Sequence, residues 1–290
     1  MSCHANQMNG LESEQQVWLV TGASKGIGRD IVDTALEHGS QVIAGSRHPE
    51  QVSEWTAEHG LQNKVLSVFL DVTDETSVAE AVRAGVEKFG RIDVLVNNAG
   101  YLLYGGIEEL SNDEVQRSFG VNVFGLLNVT RSVLAVMRGQ GVGHVINMAS
   151  ISANITSAAT GLYSSTKAAV LMLTEALADE GRDIGVRATA ICPGGVRTDF
   201  LDSSSAQRAD HVIEAYSSVH HVEEALDRSN HRQGGDPRRV AEAIVAVANM
   251  DHPPRRLYLG EDALEAITEN QSYIMQEVQL YQQLSKSTTG

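Results

Sequence analysis

The chain has 290 residues, of which 42% are hydrophobic and 20% charged, enough apolar material for one large folded domain or two small ones. Its formal net charge of −15 argues against nucleic acid or an anionic membrane surface as the main partner, because both demand a basic face. The acidic excess serves solubility and leaves room for a nucleotide cofactor, which local cations and helix N-termini would hold.

Residues 1–15 form a polar tail with no apolar segment of the signal-peptide kind. No apolar stretch reads as long enough to span a membrane, so the expectation is a cytoplasmic protein. From there, short β-branched runs alternate with longer amphipathic stretches. Strands are predicted at 16–21, 41–46, 65–70, 93–97, 144–148, 186–191 and 256–259. Helices are predicted near 27–38, 50–59, 75–89, 112–138, 162–181 and 237–249. This beat predicts one doubly wound α/β domain over 16–262, a mainly parallel sheet of about seven strands with helices on both faces. A last helix and tail occupy 263–290. The exception to the beat is 194–236, a Ser-, His- and Asp-rich connection leaving the carboxyl end of a strand. Ligands of open α/β sheets bind at such ends, so this connection is the natural substrate lid.

Thr21-Gly22-Ala23-Ser24-Lys25-Gly26-Ile27-Gly28 falls where the first strand ends and the first helix begins. Glycines there permit a tight turn and close backbone approach to a pyrophosphate, while the helix N-terminus offers unpaired N–H groups. The spacing departs from G-x-G-x-x-G, and a glycine turn with no ligand is the opposing reading. Gly22 to Gly26 also fits the G-x-S-x-G nucleophile elbow of serine hydrolases, with Ser24 as nucleophile. That match reads as accidental, because it would follow the first strand and no Asp or His downstream is singled out. The second strand ends in Ser46-Arg47. An acid there would hold a ribose 2′-OH, whereas Arg47 and Lys25 suit a 2′-phosphate, so NADP(H) is preferred over NAD(H). The opposing reading leaves both cations merely solvated.

Tyr163 and Lys167 stand four residues apart, so a phenol and an ammonium share one helix face. A cation beside a phenol is expected to pull its pKa down from about 10, giving a proton donor and acceptor near neutral pH.

With these residues in view, the chain resembles the short-chain dehydrogenase/reductase family from about residue 16 to 262, and within it a hydroxysteroid- and retinol-dehydrogenase-like branch. The residues 21–28 are similar to its cofactor turn, Asp71 and Val72 to the strand end that holds the adenine, and Asn98, Ala99 and Gly100 to a sheet-stabilising turn beside the cofactor. Asn122, Ser150, Tyr163 and Lys167 match its catalytic set, and Pro193, Gly194, Val196 and Thr198 its turn over the nicotinamide carboxamide. The resemblance implies a Rossmann-type fold and hydride exchange between a nicotinamide and a carbonyl/secondary-alcohol pair. Tyr163 would protonate the carbonyl oxygen, Ser150 would hydrogen-bond it, Lys167 would lower the phenol pKa and hold the nicotinamide ribose, and Asn122 would orient a water linking Lys167 to solvent. It also implies a homodimer or homotetramer through the helices near 112–138 and 162–181.

Ala149, Ala153 and Gly195 depart from the family pattern around the substrate pocket. Candidate substrate contacts are Leu102, Ser150, Ile151, Tyr163, Gly195 and Phe200, with Leu103 and Leu201 adding to an apolar set that suggests a small, lipophilic substrate. The run Tyr101 to Tyr104 reads equally as core packing or as pocket lining. Two cysteines, Cys3 and Cys192, belong to no C-x-x-C, and the ten histidines form no H-x-H or H-E-x-x-H, so no metal site is expected. The rival functional class is a cofactor-binding sensor or scaffold without turnover, whose hallmark would be loss of the catalytic residues.

Overall fold

The structure is a computed structural model that describes residues 15–289; the expected tail therefore lies almost wholly outside the described residues, as does Cys3. Seven parallel strands form the central sheet: β1 (Val17–Thr21), β2 (Gln41–Ser46), β3 (Val65–Phe69), β4 (Val94–Asn97), β6 (Gly143–Met148), β7 (Val186–Pro193) and β9 (Arg256–Leu259). Their order is β3-β2-β1-β4-β6-β7-β9. The predicted doubly wound α/β architecture is what the chain adopts. The order reverses beside β1, which pairs with both β2 and β4, and this topological switch opens a crevice at the strands' carboxyl ends.

Strand alternation divides the core between two faces. Trp18, Val20, Val42, Ala44 and Ile146 point to one, where they meet Ile31, Val32 and Ala35 of α1 (Gly26–Glu37) and Ile244 of α8 (Pro237–Ala248). Leu19, Ile43, Leu95 and Val145 point to the other, against α3 (Glu75–Phe89) and α5 (Leu126–Gln140). Buried on both faces, the strands read as continuous apolar runs. Local signals agree with the helix starts: Asp74 accepts from Thr76 N at the head of α3, and Asp236 from Arg238 N at the head of α8, followed by Pro237.

Three expectations change. The single helix predicted over 112–138 is α4 (Asn112–Phe119), one π-helical stretch over Gly120–Gly125, and then α5. Its apolar stripe hides this break, because the helix axis continues through it. The Asn112–Gln140 run is long and apolar enough by composition to cross a membrane, where no stretch of that length was expected. Val129, Val133 and Met137 in it are fully buried against the sheet. The 194–236 connection is also not a bare loop. It holds a short helical turn (Asp199–Leu201), a strand β8 (Ala206–Arg208) and a helix α7 (Ser217–Ser229). β8 pairs in parallel with β5 (Leu102–Tyr104), which makes a second, two-stranded sheet. Strands of three residues carry too little periodicity to be read from sequence. The C-terminal helix α9 (Glu261–Leu280) buries only Ala263 and Ile267.

Candidate active site

β1 hands over to α1 through the glycine turn. Gly22 and Gly26 have φ of +65° and +55°, the left-handed region that side chains disfavour. Gly28 is required for another reason: a Cβ there would overlap the Gly22 carbonyl oxygen and Asn98 Nδ2. Asn98 Nδ2 donates to the Thr21 and Gly22 carbonyls at 3.0 and 3.2 Å, so the turn after β4 braces the turn after β1. Thr21 Oγ1 accepts from the Asn98 and Ala99 amides, both at 3.0 Å. No side chain caps α1 and its first turn holds no acid, which leaves its first amides for an anion.

Farther along the same cleft, Ser46 is buried with its Oγ accepting from His48 N at 3.0 Å. Arg47 is exposed, and among the described residues it makes no ion pair. Asp71 Oδ1 accepts from the Thr73 amide and hydroxyl at 2.9 and 2.7 Å. Lys25 Nζ reaches across to Ser204 Oγ at 2.6 Å, tying the glycine turn to the lid segment.

The opposite end is built on α6 (Gly161–Glu180), which presents Tyr163 and Lys167 on its buried side. Lys167 Nζ donates to the Met148 carbonyl at 2.7 Å and lies 5.7 Å from the Tyr163 ring centroid. Burial pushes the Tyr163 phenol up to about 12, against the pull of the Ser150 hydroxyl. It pushes the Lys167 ammonium down to about 8. The expected lowering of the phenol by its neighbouring cation is therefore corrected. Desolvation outweighs an ammonium that is turned onto a carbonyl rather than onto the phenol oxygen. Ser150, also buried, accepts from Ser152 N at 3.1 Å, and the Phe200 ring stands 6.1 Å from that of Tyr163.

Both ends belong to one cavity of about 400 Å³, which runs from Arg47 past the glycine turn to Tyr163. The sequence profile of the short chain dehydrogenase family matches residues 16–209. The chain belongs to the short-chain dehydrogenase family. It is 36% identical over 251 residues to an oxidoreductase of Botryotinia fuckeliana, covering 86% of this chain and 90% of that one. It is 30% identical over 268 residues to a 3-ketodihydrosphingosine reductase of Bacteroides thetaiotaomicron, covering 92% and 96%. Among solved structures, a short-chain dehydrogenase from Streptomyces avermitilis superposes with a TM-score of 0.88 at 34% identity, covering 95% of this chain and 100% of that one. A Burkholderia phymatum member in complex with NAD gives 0.79 at 25% identity, covering 91% and 95%. A serine dehydrogenase complexed with NADP+ gives 0.72 at 27%, covering 84% and 94%.

In this short-chain dehydrogenase the cavity is lined by Gly22, Ser24, Lys25, Gly26, Ile27, Ser46, Arg47, Asp71, Val72, Asn98, Ala99 and Gly100, and by Ser150, Tyr163, Lys167, Pro193, Gly194, Val196, Thr198 and Phe200. Gly28 supports the turn from behind. Asn122, in the π-helical stretch, does not line the cavity. Its Nδ2 donates to Tyr101 O at 2.9 Å and Thr166 Oγ1 at 3.2 Å, and its Oδ1 accepts from Tyr101 N at 3.0 Å. An amide so committed holds the chain after Gly100 in place.

Three substrate candidates also move. Leu102 is 4% exposed and packs beneath Tyr163 with Tyr104 and Val219. Ile151 heads the short turn after Ser150, off the cavity wall. Gly195 faces away, donating to Asp262 Oδ2 at 2.7 Å. Leu103 and Leu201 are likewise absent from the wall. Tyr101 and Ala149, which the sequence sets near the pocket, line the cavity, whereas Met148 was missed because it acts through its backbone carbonyl and so carries no side-chain signal. Ser24 lines the cavity without an imidazole hydrogen-bonded to it among the described residues, so the hydrolase elbow has no support. Asp199, Asp202 and His231 bring ligand atoms within 4.8 Å of one another on the lid, a cluster no sequence spacing announces.

Proposed function

We propose that the protein is an NADP(H)-dependent oxidoreductase that interconverts a carbonyl and a secondary alcohol on a small, apolar substrate. The observation that carries the reading is the joining of the glycine turn and the buried Tyr163, Ser150 and Lys167 in one cleft. The chain's own features fit a dinucleotide: two left-handed glycines and an uncapped α1 N-terminus. When bound, the nicotinamide supplies hydride.

Tyr163 does the proton work. Burial keeps the Tyr163 phenol protonated at neutral pH, so it has a proton to give to the carbonyl oxygen in reduction. Ser150 hydrogen-bonds the same oxygen, stabilising charge as it develops. Lys167, its pKa brought to about 8 by burial, stands beside the phenol ring on the Met148 carbonyl and would hold the nicotinamide ribose. Asn122 positions this end by clamping Tyr101. Arg47 and Lys25 support the preference for NADP(H), since Arg47 has no ion-pair partner among the described residues and no acid replaces Ser46. Family relatives are recorded with either nucleotide, so this preference rests on the two cations.

Phe200, Tyr101 and Ala149 form apolar walls beside Tyr163, which suits a neutral carbonyl compound, and a carbonyl substrate fits the name of one relative, a 3-ketodihydrosphingosine reductase. Exposed Phe124 and Met172, on the helical runs that the resemblance assigns to subunit contacts, fit a homodimer or homotetramer in the cytoplasm. The test is oxidation of NADPH and NADH at 340 nm over a panel of ketones and aldehydes. Turnover with NADPH that disappears in Tyr163→Phe supports the reading. Nucleotide binding without turnover on any compound favours the sensor alternative.

A further inference from the structure

Two buried carboxylates outside the catalytic cleft hold the lid segment to the body of the protein. Glu109 and Glu114 are each 3% exposed, a burial that acids tolerate only when fully hydrogen-bonded. Glu109 Oε2 accepts from Gly106 N and its Oε1 from Ile213 N, both at 2.7 Å. Glu114 Oε2 accepts from the Ser111 amide and hydroxyl at 2.8 and 2.6 Å, closing the capping box of α4. Its other oxygen, Oε1, accepts from Asp210 N at 2.9 Å. Each carboxylate thus spends one oxygen on its own segment and one on the lid backbone. Burial alone would raise both groups, but the donors around them win and hold both below the usual carboxylate range.

The bonds form a continuous path to the cleft. β8 is pinned to β5 by Leu102 N to Ser205 O and Ala209 N to Tyr104 O, both 2.9 Å. The Ser205 and Ala206 amides donate to the Asp202 carbonyl at 2.8 Å, which ties the Asp199–Leu201 turn to that strand. Phe200, on the turn, faces Tyr163, and Val219 of α7 packs into the same cluster. Neither Glu109 nor Glu114 touches the cleft itself.

We propose that Glu109 and Glu114 are positioning residues that latch residues 205–213 to the body, fix Phe200 over Tyr163, and thereby set affinity for the carbonyl substrate far more than for the dinucleotide. The inference rests on the carbonyl-reducing reading of the cleft and adds to it what holds the substrate wall.

Glu109→Gln and Glu114→Gln each exchange an accepting oxygen for a donor, so a lid or body amide loses its partner. The expected result in each is a rise of about tenfold or more in KM for a ketone, with the Kd for NADPH within about twofold of wild type. An unchanged KM in both variants, with the wild-type chain active, overturns the latch and leaves the reductase reading standing. A parallel loss of ketone and NADPH affinity also overturns it, as general damage. If neither variant folds, Ile213→Pro deletes the lid donor while leaving the body untouched, and the same two outcomes apply to it. If the wild-type chain reduces nothing, the reductase reading fails and hydrogen exchange decides the latch alone. Loss of amide protection spreading from Asp210 and Ile213 to the 199–201 turn supports it; loss confined to those two amides overturns it.

Discussion

The Lys167 ammonium donates to the Met148 carbonyl at 2.7 Å and stands 5.7 Å from the centroid of the Tyr163 ring, so the two groups share a buried site without sharing a hydrogen bond. Each is pushed toward its neutral form by burial, the phenol to about 12 and the amine to about 8. In this state the pair consists of a protonated phenol and an amine whose pKa burial has brought to about 8.

Removing the acid is the first consequence. Tyr163→Phe keeps the ring that packs against Phe200 and deletes only the hydroxyl. Turnover should fall by at least roughly 100-fold, with NADPH affinity changed little. Steady-state rates and fluorescence titration of NADPH check both halves.

Lys167 should show the opposite trade, stability against activity. Its folded pKa of about 8 lies below the ordinary 10.5, so between those values the unfolded chain binds more protons than the folded one. The group's contribution to stability therefore rises with pH from about 8 to 10.5, and below 8 the full burial penalty is present. Lys167→Met should stabilise the cofactor-free protein at pH 7 by on the order of 1–3 kcal/mol while abolishing turnover. Urea midpoints at pH 7 and pH 10 measure it; the gain should shrink at the higher pH.

His144 supplies an acid limit. It is fully buried on β6, with Nε2 at 3.0 Å from Thr189 Oγ1, and burial, aided by Arg187, holds its pKa near 3. A group depressed from 6.5 contributes stability that is present above pH 6.5 and lost as pH falls toward 3. His144→Gln, which keeps an amide for Thr189, should remove roughly 2–3 kcal/mol of the acid-induced loss between pH 7 and pH 4. Denaturant midpoints across that range compare the two proteins.

Nucleotide choice should turn on the end of β2. Replacing Ser46 by Asp places a carboxylate beside the exposed Arg47, repelling a 2′-phosphate and accepting from a 2′-OH. The kcat/KM ratio of NADPH to NADH should drop by roughly 10- to 100-fold in S46D, and Arg47→Ala should lower it in the same direction.

The cofactor turn tolerates no added methyl at Gly28, where a Cβ would overlap the Gly22 carbonyl and the Asn98 amide that braces it. Gly28→Ala should abolish NADPH binding and lower the thermal midpoint by several degrees, a cost of roughly 1–3 kcal/mol. Isothermal titration and a thermal scan report each.

Much of this protein is legible along the chain. The sheet was readable because strands buried on both faces must be continuous apolar runs, and Val17–Thr21, Gln41–Ser46 and Arg256–Leu259 stand close to where the pattern put them. The glycine turn and the Tyr163/Lys167 pair were readable because backbone sterics and helical periodicity act over a few residues. Local spacing could not carry what depends on distant partners. The lid gained a strand only because β5, itself three residues long, offered Leu102 and Tyr104 for pairing. Asn122 was taken up by Tyr101 and Thr166, and Leu102 and Gly195 were turned from the cleft, by contacts that form only once the sheet is assembled. The phenol's pKa reversed for the same reason: sequence places the ammonium on the same helix face, but only the packed core sets how far desolvation outweighs it.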